Sequence, residues 1–250
     1  MTGLLSGKTA VITGAGSPGG IGRATARLFA AEGAACALTD IDEAGLEEAA
    51  AEMGPPHRTY VCDVADAASV KGTTADIAAD LGRIDILVNN AGIVMGTPFD
   101  EISEDEFDSV LGVNLKGNFL MAQACLPAMR DGGGAIVCIA SIAGQNGGGV
   151  FGRSHYAAAK AGIMGLAKAL GRELAPLGIR ANAIAVGPVD NDFTGGRMTP
   201  EIKADLATKV PLGRLGTSDD MANACLFLAS DMSSFITGAV LDVNGGLHIH

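Results

Sequence analysis

Seven short apolar runs, each rich in branched residues, constrain the fold of this chain more than any other feature. The runs are TAVIT, ACALTD, RTYVCDV, IDILVNN, AIVCIAS, IRANAIAV and AVLDVNG. Amphipathic helical patterns fill every gap but the last, and the runs show little polar alternation, which is typical of parallel strands covered on both faces. The pattern predicts an α/β fold, a doubly wound seven-stranded parallel sheet flanked by helices, in a single domain over residues 1–250.

One segment departs from this regular alternation. Between Gly187 and Gly216, directly after the sixth apolar run, glycines and prolines flank a short helical stretch. Long connections in compact domains commonly serve a function. The segment is therefore predicted to form a substrate lid at about residues 187–216.

The charge of the chain limits its partners. The 250 residues carry a formal net charge of -11 and the sequence pI is about 4.7. Nucleic acid and anionic membrane surfaces would be repelled, so we expect neither as a partner. The start, MTGLLSGKTA, has no apolar stretch of signal-peptide length, and no apolar run is long enough to span a membrane, so we expect a cytoplasmic protein.

Cysteine and histidine give no sign of a metal site. The five cysteines are scattered in apolar contexts without the paired spacing of metal ligands, so we expect buried, reduced thiols. His248 and His250 end the chain, but a metal site needs more ligands than this tail provides. We expect no metal and a frayed C-terminus.

A glycine cluster follows the first apolar run, in TGAGSPGGIGRATARLF. Two sets of glycines fit a phosphate-binding turn, Gly14, Gly16 and Gly19 or Gly14, Gly20 and Gly22. Pro18 lacks an N–H and is tolerated only in the first turn of a helix, so the helix is predicted to begin near Gly20. Either set exposes bare backbone and the N–H groups of a helix N-terminus to a pyrophosphate, which indicates dinucleotide binding.

An acidic residue stands where such a site recognises ribose. Asp40 ends the second apolar run, about twenty residues past the glycine turn, where a carboxylate accepts hydrogen bonds from the adenosine ribose hydroxyls. The same charge would repel a 2'-phosphate, and no Arg or Lys follows nearby to receive one. NAD(H) is therefore the predicted cofactor.

A tyrosine and a lysine stand four residues apart in SHYAAAKAG. Tyr156 and Lys160 share a helix face, although an exposed Tyr packed on a Lys stem is the commoner meaning of such a pair. At about 4 Å and an effective dielectric of about 20, the ammonium contributes on the order of 4 kcal/mol toward the phenolate. We therefore expect the pKa of Tyr156 to fall by about two or three units and the pair to move a proton near neutral pH.

Further motifs stand in order along nearly the whole chain: CDV with Asp63, NNAG from Asn89 to Gly92, NLKG with Asn114, SIAG with Ser141, YAAAK and the ending DVNGG. With these motifs and the glycine turn, the chain resembles the short-chain dehydrogenase/reductase family. The resemblance implies that Tyr156 is the catalytic acid/base and that Lys160 lowers its pKa and holds the nicotinamide ribose. It also implies that Ser141 binds the reacting oxygen and that Asn114 anchors a water of the proton relay.

The predicted cofactor contacts combine the glycine turn, Asp40 and the positions that the resemblance implies. They are Gly14, Ser17, Gly20, Ile21, Gly22, Asp40, Ile41, Asp63, Val64, Asn90, Ala91, Gly92, Tyr156, Lys160, Gly187, Val189 and Asn191. The glycine turn departs from the family pattern by an insertion around Ser17 and Pro18. The family's Pro-Gly and Thr after the sixth strand are replaced by Val186, Gly187 and Asn191, which leaves Asn191 or Thr194 to contact the cofactor amide or pyrophosphate.

Polar residues flank the reactive pair, whereas bulky aromatic residues are scarce. Ser141, Gln145, Asn146 and His155 are the predicted substrate contacts, with Ser154 nearby. His155 points about 100° away from Tyr156 around the helix, which favours the pocket rim or the surface over a catalytic role. We expect a polyol, a sugar or another small hydroxy compound as substrate.

The sequence predicts an NAD(H)-dependent oxidoreductase that interconverts a secondary alcohol and its ketone. An alternative is a 3-oxoacyl thioester reductase, with Arg130 and Arg172 meeting an acidic carrier protein, although the acidic net charge disfavours that partner. A non-catalytic dinucleotide-binding scaffold is the alternative of another class, and the intact catalytic residues oppose it. The resemblance implies a homotetramer formed through the Tyr156 helix and the helix FDSVLGVNLKGNFLMAQACLPAMR.

Overall fold

A computed structural model describes residues 3–149 and 151–249. Within them one parallel seven-stranded sheet has the order β3-β2-β1-β4-β5-β6-β7, which confirms the predicted doubly wound α/β fold. The strands are β1 (Thr9–Thr13), β2 (Ala35–Asp40), β3 (Arg58–Val61), β4 (Ile86–Asn89), β5 (Gly134–Ile139), β6 (Ile179–Val186) and β7 (Val240–Val243). Each predicted run overlaps one of these strands.

Helices cover both faces of the sheet. They are α1 (Ile21–Ala31), α2 (Glu43–Met53), α3 (Ala67–Leu81), α4 (Glu104–Leu111), α5 (Gly117–Met129), α6 (Ala143–Asn146), α7 (Ser154–Glu173), α8 (Pro200–Lys209) and α9 (Ser218–Ala229). Neighbouring strand residues enter opposite cores, Ile12 with Phe29 of α1 and Val11 with Ile163 of α7. Burial on both faces explains why the strand sequences lack polar alternation.

The strand order reverses between β1 and β4, and this reversal opens a crevice at the carboxyl ends of the strands. Val11 of β1 is in register with Leu87 of β4. Just beyond the strands, the Thr13 hydroxyl accepts hydrogen bonds from the N–H groups of Asn90 and Ala91, both at 2.9 Å. These bonds hold the glycine turn and the NNAG motif side by side.

The structure differs from the sequence expectations in three elements. The last gap, between β6 and β7, holds the twelve-residue helix α9 besides the short helix α8 of the predicted lid. The helix expected through residues 107–130 is interrupted by a π-helical turn, Gly112–Lys116, between α4 and α5. The C-terminal tail is not frayed at His248, whose carbonyl accepts a 3.0 Å hydrogen bond from Asn244 Nδ2. His250 lies outside the described residues.

Neither a membrane-spanning helix nor a metal-binding cluster occurs in the part of the chain that the structure describes. No helix there is long and apolar enough to cross a membrane. No group of three or more His, Cys, Asp and Glu side chains among the same residues could hold a metal ion. The five cysteines are buried thiols without disulfide bonds.

Candidate active site

A cleft of about 520 Å³ follows the carboxyl ends of the strands. Of the predicted site residues, those that line it are Gly14, Ser17, Gly20, Ile21, Asp40, Ile41, Asp63, Val64, Asn90, Ala91, Gly92, Ser141, Asn146, Tyr156, Lys160, Gly187, Val189 and Asn191. Gly22, Asn114, Gln145 and His155 lie outside this lining. The cleft thus brings together residues that follow several strand ends and residues from the segment predicted to form a lid.

The glycine turn needs glycine where backbone segments approach closely. Gly20 is the N-cap of α1, in agreement with the predicted helix start. Gly14 has a φ of 67°, and a Cβ there would lie 2.8 Å from Ala91 Cα. A Cβ on Gly22 would lie 2.9 Å from the carbonyl carbon of Gly14, so Gly22 allows α1 to pack beneath the turn.

The carboxylate of Asp40 is held at the end of β2 by two backbone donors. Oδ2 accepts from the Gly16 N–H at 2.8 Å, and Oδ1 accepts from the Asp42 N–H at 3.1 Å. A Cβ on Gly16 would lie 2.9 Å from Asp40 Cγ. The negative charge of Asp40 therefore has a fixed place beside the glycine turn.

Three of the predicted catalytic side chains meet on the cleft wall. Ser141 follows β5, and its hydroxyl lies close enough to the Tyr156 hydroxyl, near the start of α7, to favour the phenolate. Ser141 Oγ also accepts from the Ala143 N–H at 3.1 Å. Lys160 Nζ lies 5.5 Å from the centroid of the Tyr156 ring and donates to the Ile139 carbonyl at 2.8 Å.

Burial controls the protonation of this group. Tyr156 and Lys160 are 8% and 2% exposed. Burial raises the pKa of Tyr156 above its ordinary value, and the Ser141 hydrogen bond opposes that rise only in part. Burial also lowers the pKa of Lys160 to about 8. The expected fall in the pKa of Tyr156 is therefore wrong for the protein groups alone, because the cost of removing the phenolate from water is larger than the opposing effect of Ser141.

Asn114 lies in the π-helical turn, where the helix register changes. Its Nδ2 donates to the carbonyls of Ile93 at 2.9 Å and Val110 at 2.8 Å. Its Oδ1 is buried without a hydrogen-bond partner, and a Cβ on Gly92 would lie 2.7 Å from that oxygen. π-Helical turns are frequent at functional sites, and here the turn places an unsatisfied acceptor next to Gly92 of the cleft lining.

Comparisons with known proteins show the family of this chain. A family model described as enoyl-(acyl carrier protein) reductase matches residues 14–248. The chain is 46% identical to an uncharacterized short-chain type dehydrogenase/reductase of Sinorhizobium fredii, over 99% of this chain and 100% of the relative. The chain belongs to the short-chain dehydrogenase/reductase family.

Relatives within this family carry different names. The chain is 42% identical to D-threitol dehydrogenase of Mycolicibacterium smegmatis, over 98% of this chain and 94% of the relative. It is 40% identical to 3-oxoacyl-(acyl-carrier-protein) reductase of Thermotoga maritima, over 98% of this chain and 99% of the relative. Membership therefore makes the protein an oxidoreductase without fixing its substrate.

The cleft fits the nicotinamide dinucleotide that short-chain dehydrogenase/reductases bind. Glycines line the cleft at Gly14, Gly20 and Gly92, where a cofactor can approach the backbone, and a Cβ on Gly92 would lie 3.5 Å from Lys160 Nζ. The N-terminus of α1 opens into the cleft at Gly20, where its N–H groups can receive a pyrophosphate.

Two predicted substrate contacts of this short-chain dehydrogenase/reductase lie elsewhere. His155 is buried, not at the rim or surface, and its Nε2 lies 3.0 Å from Glu106 Oε1 of α4. Gln145 Nε2 donates to Asp242 Oδ1 of β7 at 2.9 Å. Neither partner is near in sequence, so only the tertiary structure shows that these two side chains are held away from the cleft lining. Asn146 remains on the cleft lining.

Sequence reasoning missed the apolar wall of the cleft. The missed lining residues include Ile93, Val94, Phe151, Phe193, Met198, Leu206 and Leu247. The Phe193 ring centroid lies 6.5 Å from that of Tyr156, so the wall reaches the reactive phenol. Apolar residues in loops after strands were the available signal. The expected polar pocket is therefore largely apolar beside Tyr156.

Sequence reasoning also missed Arg23, which is 1% exposed beneath the glycine turn. Arg23 stands three residues before the fully buried Ala26 on α1, so helical spacing places it on the buried face. The segment predicted to form a lid contributes Pro188, Asp192 and Thr194 to the lining besides the residues named above.

Proposed function

We propose that this short-chain dehydrogenase/reductase is an NAD(H)-dependent enzyme that interconverts a small secondary alcohol and its ketone. The observation that carries the proposal is the meeting of Ser141, Tyr156 and Lys160 in the cleft that also holds Asp40. The cleft thus holds a proton donor, an oxygen-binding hydroxyl and a cation beside the glycine turn at which a dinucleotide can bind. Intact proton-transfer groups oppose the alternative of a non-catalytic scaffold.

The chain's own groups divide the chemistry between them. Ser141 binds the reacting oxygen and donates to the charge that develops on it. Tyr156 receives the hydroxyl proton during oxidation and returns it during reduction. Lys160 supplies the positive charge beside the phenol and holds the nicotinamide ribose. Asn114 Oδ1 accepts from a water that carries the proton onward. The nicotinamide ring, when bound, accepts or donates the hydride.

Asp40 supports NAD(H) over NADP(H). Its carboxylate is fixed by the Gly16 and Asp42 N–H groups, so it cannot turn away from a 2'-phosphate without losing both bonds. Like charges held close in a partly buried site are costly. A ribose with two hydroxyl groups can instead donate to the same oxygens.

The lining favours a substrate with one apolar substituent on the carbinol carbon. Phe193 and Phe151 stand near Tyr156, whereas the predicted polar residues Gln145 and His155 are engaged with Asp242 and Glu106. Asn146 and Ser141 provide polar contacts on the lining. A small hydroxy compound with one polar and one apolar arm fits this division better than a fully hydroxylated sugar.

A 3-oxoacyl thioester reductase is the second candidate. The similarity to the Thermotoga maritima reductase and the apolar wall both favour it, because an acyl chain needs an apolar path. The fixed charge of Asp40 opposes it only if the reaction depends on the phosphorylated cofactor. The two candidates therefore differ in cofactor and in substrate length.

The deciding experiment measures initial rates with each cofactor and each substrate class. Purified protein is mixed with NAD⁺ or NADP⁺ and a panel of secondary alcohols and polyols, or with NADH or NADPH and acetoacetyl-coenzyme A. Turnover of an alcohol with NAD⁺ supports the proposal. Strong NADPH preference with the thioester contradicts it in favour of the reductase. Cofactor binding without turnover of any substrate contradicts both enzymatic functions.

The proposal includes an assembly and a location: the protein forms a homotetramer in the cytoplasm. Phe107 of α4 and Phe119 of α5 are 41% and 45% exposed, and a second copy packed on these helices would cover them. Light scattering of the purified protein tests the assembly, and a monomer at micromolar concentration contradicts it. Cell fractionation tests the location.

A further inference from the structure

A buried guanidinium lies beneath the glycine turn, at a depth where charged side chains are rare. Arg23 of α1 donates from Nε to the Ala15 carbonyl at 2.9 Å and from Nη2 to the Gly16 carbonyl at 2.6 Å. The same Nη2 also donates to the carbonyl of Gly45 in α2. One side chain therefore joins the turn after β1 to two helices.

A neighbouring arginine shares the counterion of Arg23 but points to the surface. Arg23 Nη1 donates to Glu52 Oε2 at 3.1 Å, and Arg27 Nη2 donates to the same oxygen at 3.0 Å. Arg27 stands one helical turn later, and its side chain is 45% exposed. Arg27 is thus a matched control that keeps the charge and the Glu52 pair but stands away from the glycine turn.

Gly16 is held from both sides. Its carbonyl accepts from Arg23, while its N–H donates to Asp40 Oδ2 at 2.8 Å. A Cβ on Gly45 would lie 2.9 Å from the carbonyl carbon of Gly16, and a Cβ on Gly16 would lie equally close to Asp40 Cγ. The backbone at Gly16 therefore has little room to shift as long as Arg23 keeps its bonds.

We propose that Arg23 is a positioning residue that sets the preference between NAD(H) and NADP(H) by fixing Gly16 against the Asp40 carboxylate. Arg23 acts through Gly16 and does not line the cleft. A planar guanidinium suits the task, because its rigid fork holds its donors in fixed directions toward several carbonyls, whereas an ammonium is a compact charge on a flexible stem. The inference rests on the proposed role of Asp40 as the acceptor for the adenosine ribose.

The physical consequence concerns where the charge of Asp40 can go. With Gly16 fixed, Asp40 stays where a ribose hydroxyl is bound and a 2'-phosphate is repelled. Without the Arg23 bonds, the turn relaxes and Asp40 can rotate toward solvent. NAD(H) then loses an ordered acceptor, whereas NADP(H) loses a source of repulsion. The ratio of the two affinities therefore changes. A general loss of stability would instead weaken both affinities alike.

The test compares Arg23→Lys with Arg27→Lys in the full-length protein. The dissociation constants of NADH and NADPH are measured by titration of nicotinamide fluorescence, and thermal unfolding establishes that each variant is folded. R23K removes hydrogen bonds made by a charged guanidinium, which contribute more free energy than bonds between neutral groups. We therefore expect R23K to weaken NADH binding at least about tenfold, while NADPH binding changes less than about threefold. R27K is expected to leave the NADPH-to-NADH ratio of dissociation constants within about twofold of wild type.

Each outcome bears on one claim. A folded R23K protein with the wild-type ratio overturns the role of Arg23, even if its thermal stability falls. A wild-type protein that prefers NADPH overturns the NAD(H) assignment instead. Should R23K fail to fold, Gly45→Ala replaces it, because a Cβ there would lie 2.5 Å from the Gly16 carbonyl oxygen and so displaces the acceptor of the Arg23 hydrogen bond. A lowered ratio in G45A supports the proposal and an unchanged ratio overturns it.

Discussion

Lys160 donates a 2.8 Å hydrogen bond from α7 to the carbonyl of Ile139, the last residue of β5. Ser141 follows two residues later, and Tyr156 lies one helical turn before Lys160. The reactive side chains therefore stand on a strand end and a helix that are tied together directly. Tyr156 and Lys160 thus stand on a rigid helix, and Ser141 stands two residues beyond the strand end.

Tyr156→Phe is expected to lower turnover by about 100-fold or more, because it removes the proton-transferring hydroxyl and leaves the ring in place. The affinity for NAD⁺ should stay nearly unchanged. The measurements are kcat with the best alcohol substrate and the dissociation constant of NAD⁺. The other tyrosine offers the control: Tyr60 donates to Asp80 at 2.9 Å outside the cleft, so Tyr60→Phe should keep wild-type turnover. Equal turnover of both variants would contradict the assignment.

The rate of ketone reduction should fall as the pH rises through about 8, because burial lowers the pKa of Lys160 to about this value. Below that pH the ammonium is charged and supports proton donation, and above it the charge is lost. Burial raises the pKa of Tyr156, so the phenol keeps its proton over this range and the falling limb belongs to Lys160. A profile of kcat against pH with saturating NADH tests this. A flat profile between about pH 7 and about pH 10 would count against it.

Asp40→Asn is expected to tighten NADPH binding at least about tenfold, because the substitution removes the negative charge that would face a 2'-phosphate. NADH binding should weaken by a smaller factor, since an amide oxygen can still accept from a ribose hydroxyl. Asp42→Asn is the control, because Asp42 caps α2 and does not line the cleft. Cofactor titration of both variants decides, and unchanged NADPH affinity in D40N would overturn the proposed role of Asp40.

Two glycine substitutions should change stability in opposite directions. Gly22→Ala places a Cβ 2.8 Å from Asn90 Nδ2 and against the carbonyl of Gly14, so we expect a loss of about 1–3 kcal/mol in the free energy of unfolding. Gly72 lies exposed in α3, and a Cβ there meets nothing within 4 Å. Gly72→Ala should therefore gain about 0.5–1 kcal/mol from helix propensity. Urea unfolding measures both, and equal effects would refute the close packing inferred at Gly22.

Much of the candidate site is predictable from motifs in the sequence. The glycine turn, Asp40 and the Tyr156–Lys160 pair depend on local spacing along one strand, turn or helix, and local spacing is visible in a sequence. Gln145 and His155 differ, because their places depend on partners far away in the chain. Their contacts with Asp242 and Glu106 withdraw them from the cleft, and no spacing near either residue indicates those partners.

By itself, the sequence determined the order of the elements, because apolar runs of strand length and helical periodicity are properties of neighbouring residues. Only the tertiary structure decided the apolar wall beside Tyr156, the depth of Arg23 and the direction in which the pKa of Tyr156 moves. These depend on how much water reaches each group. That quantity is set by segments packed together from across the chain, not by spacing along it.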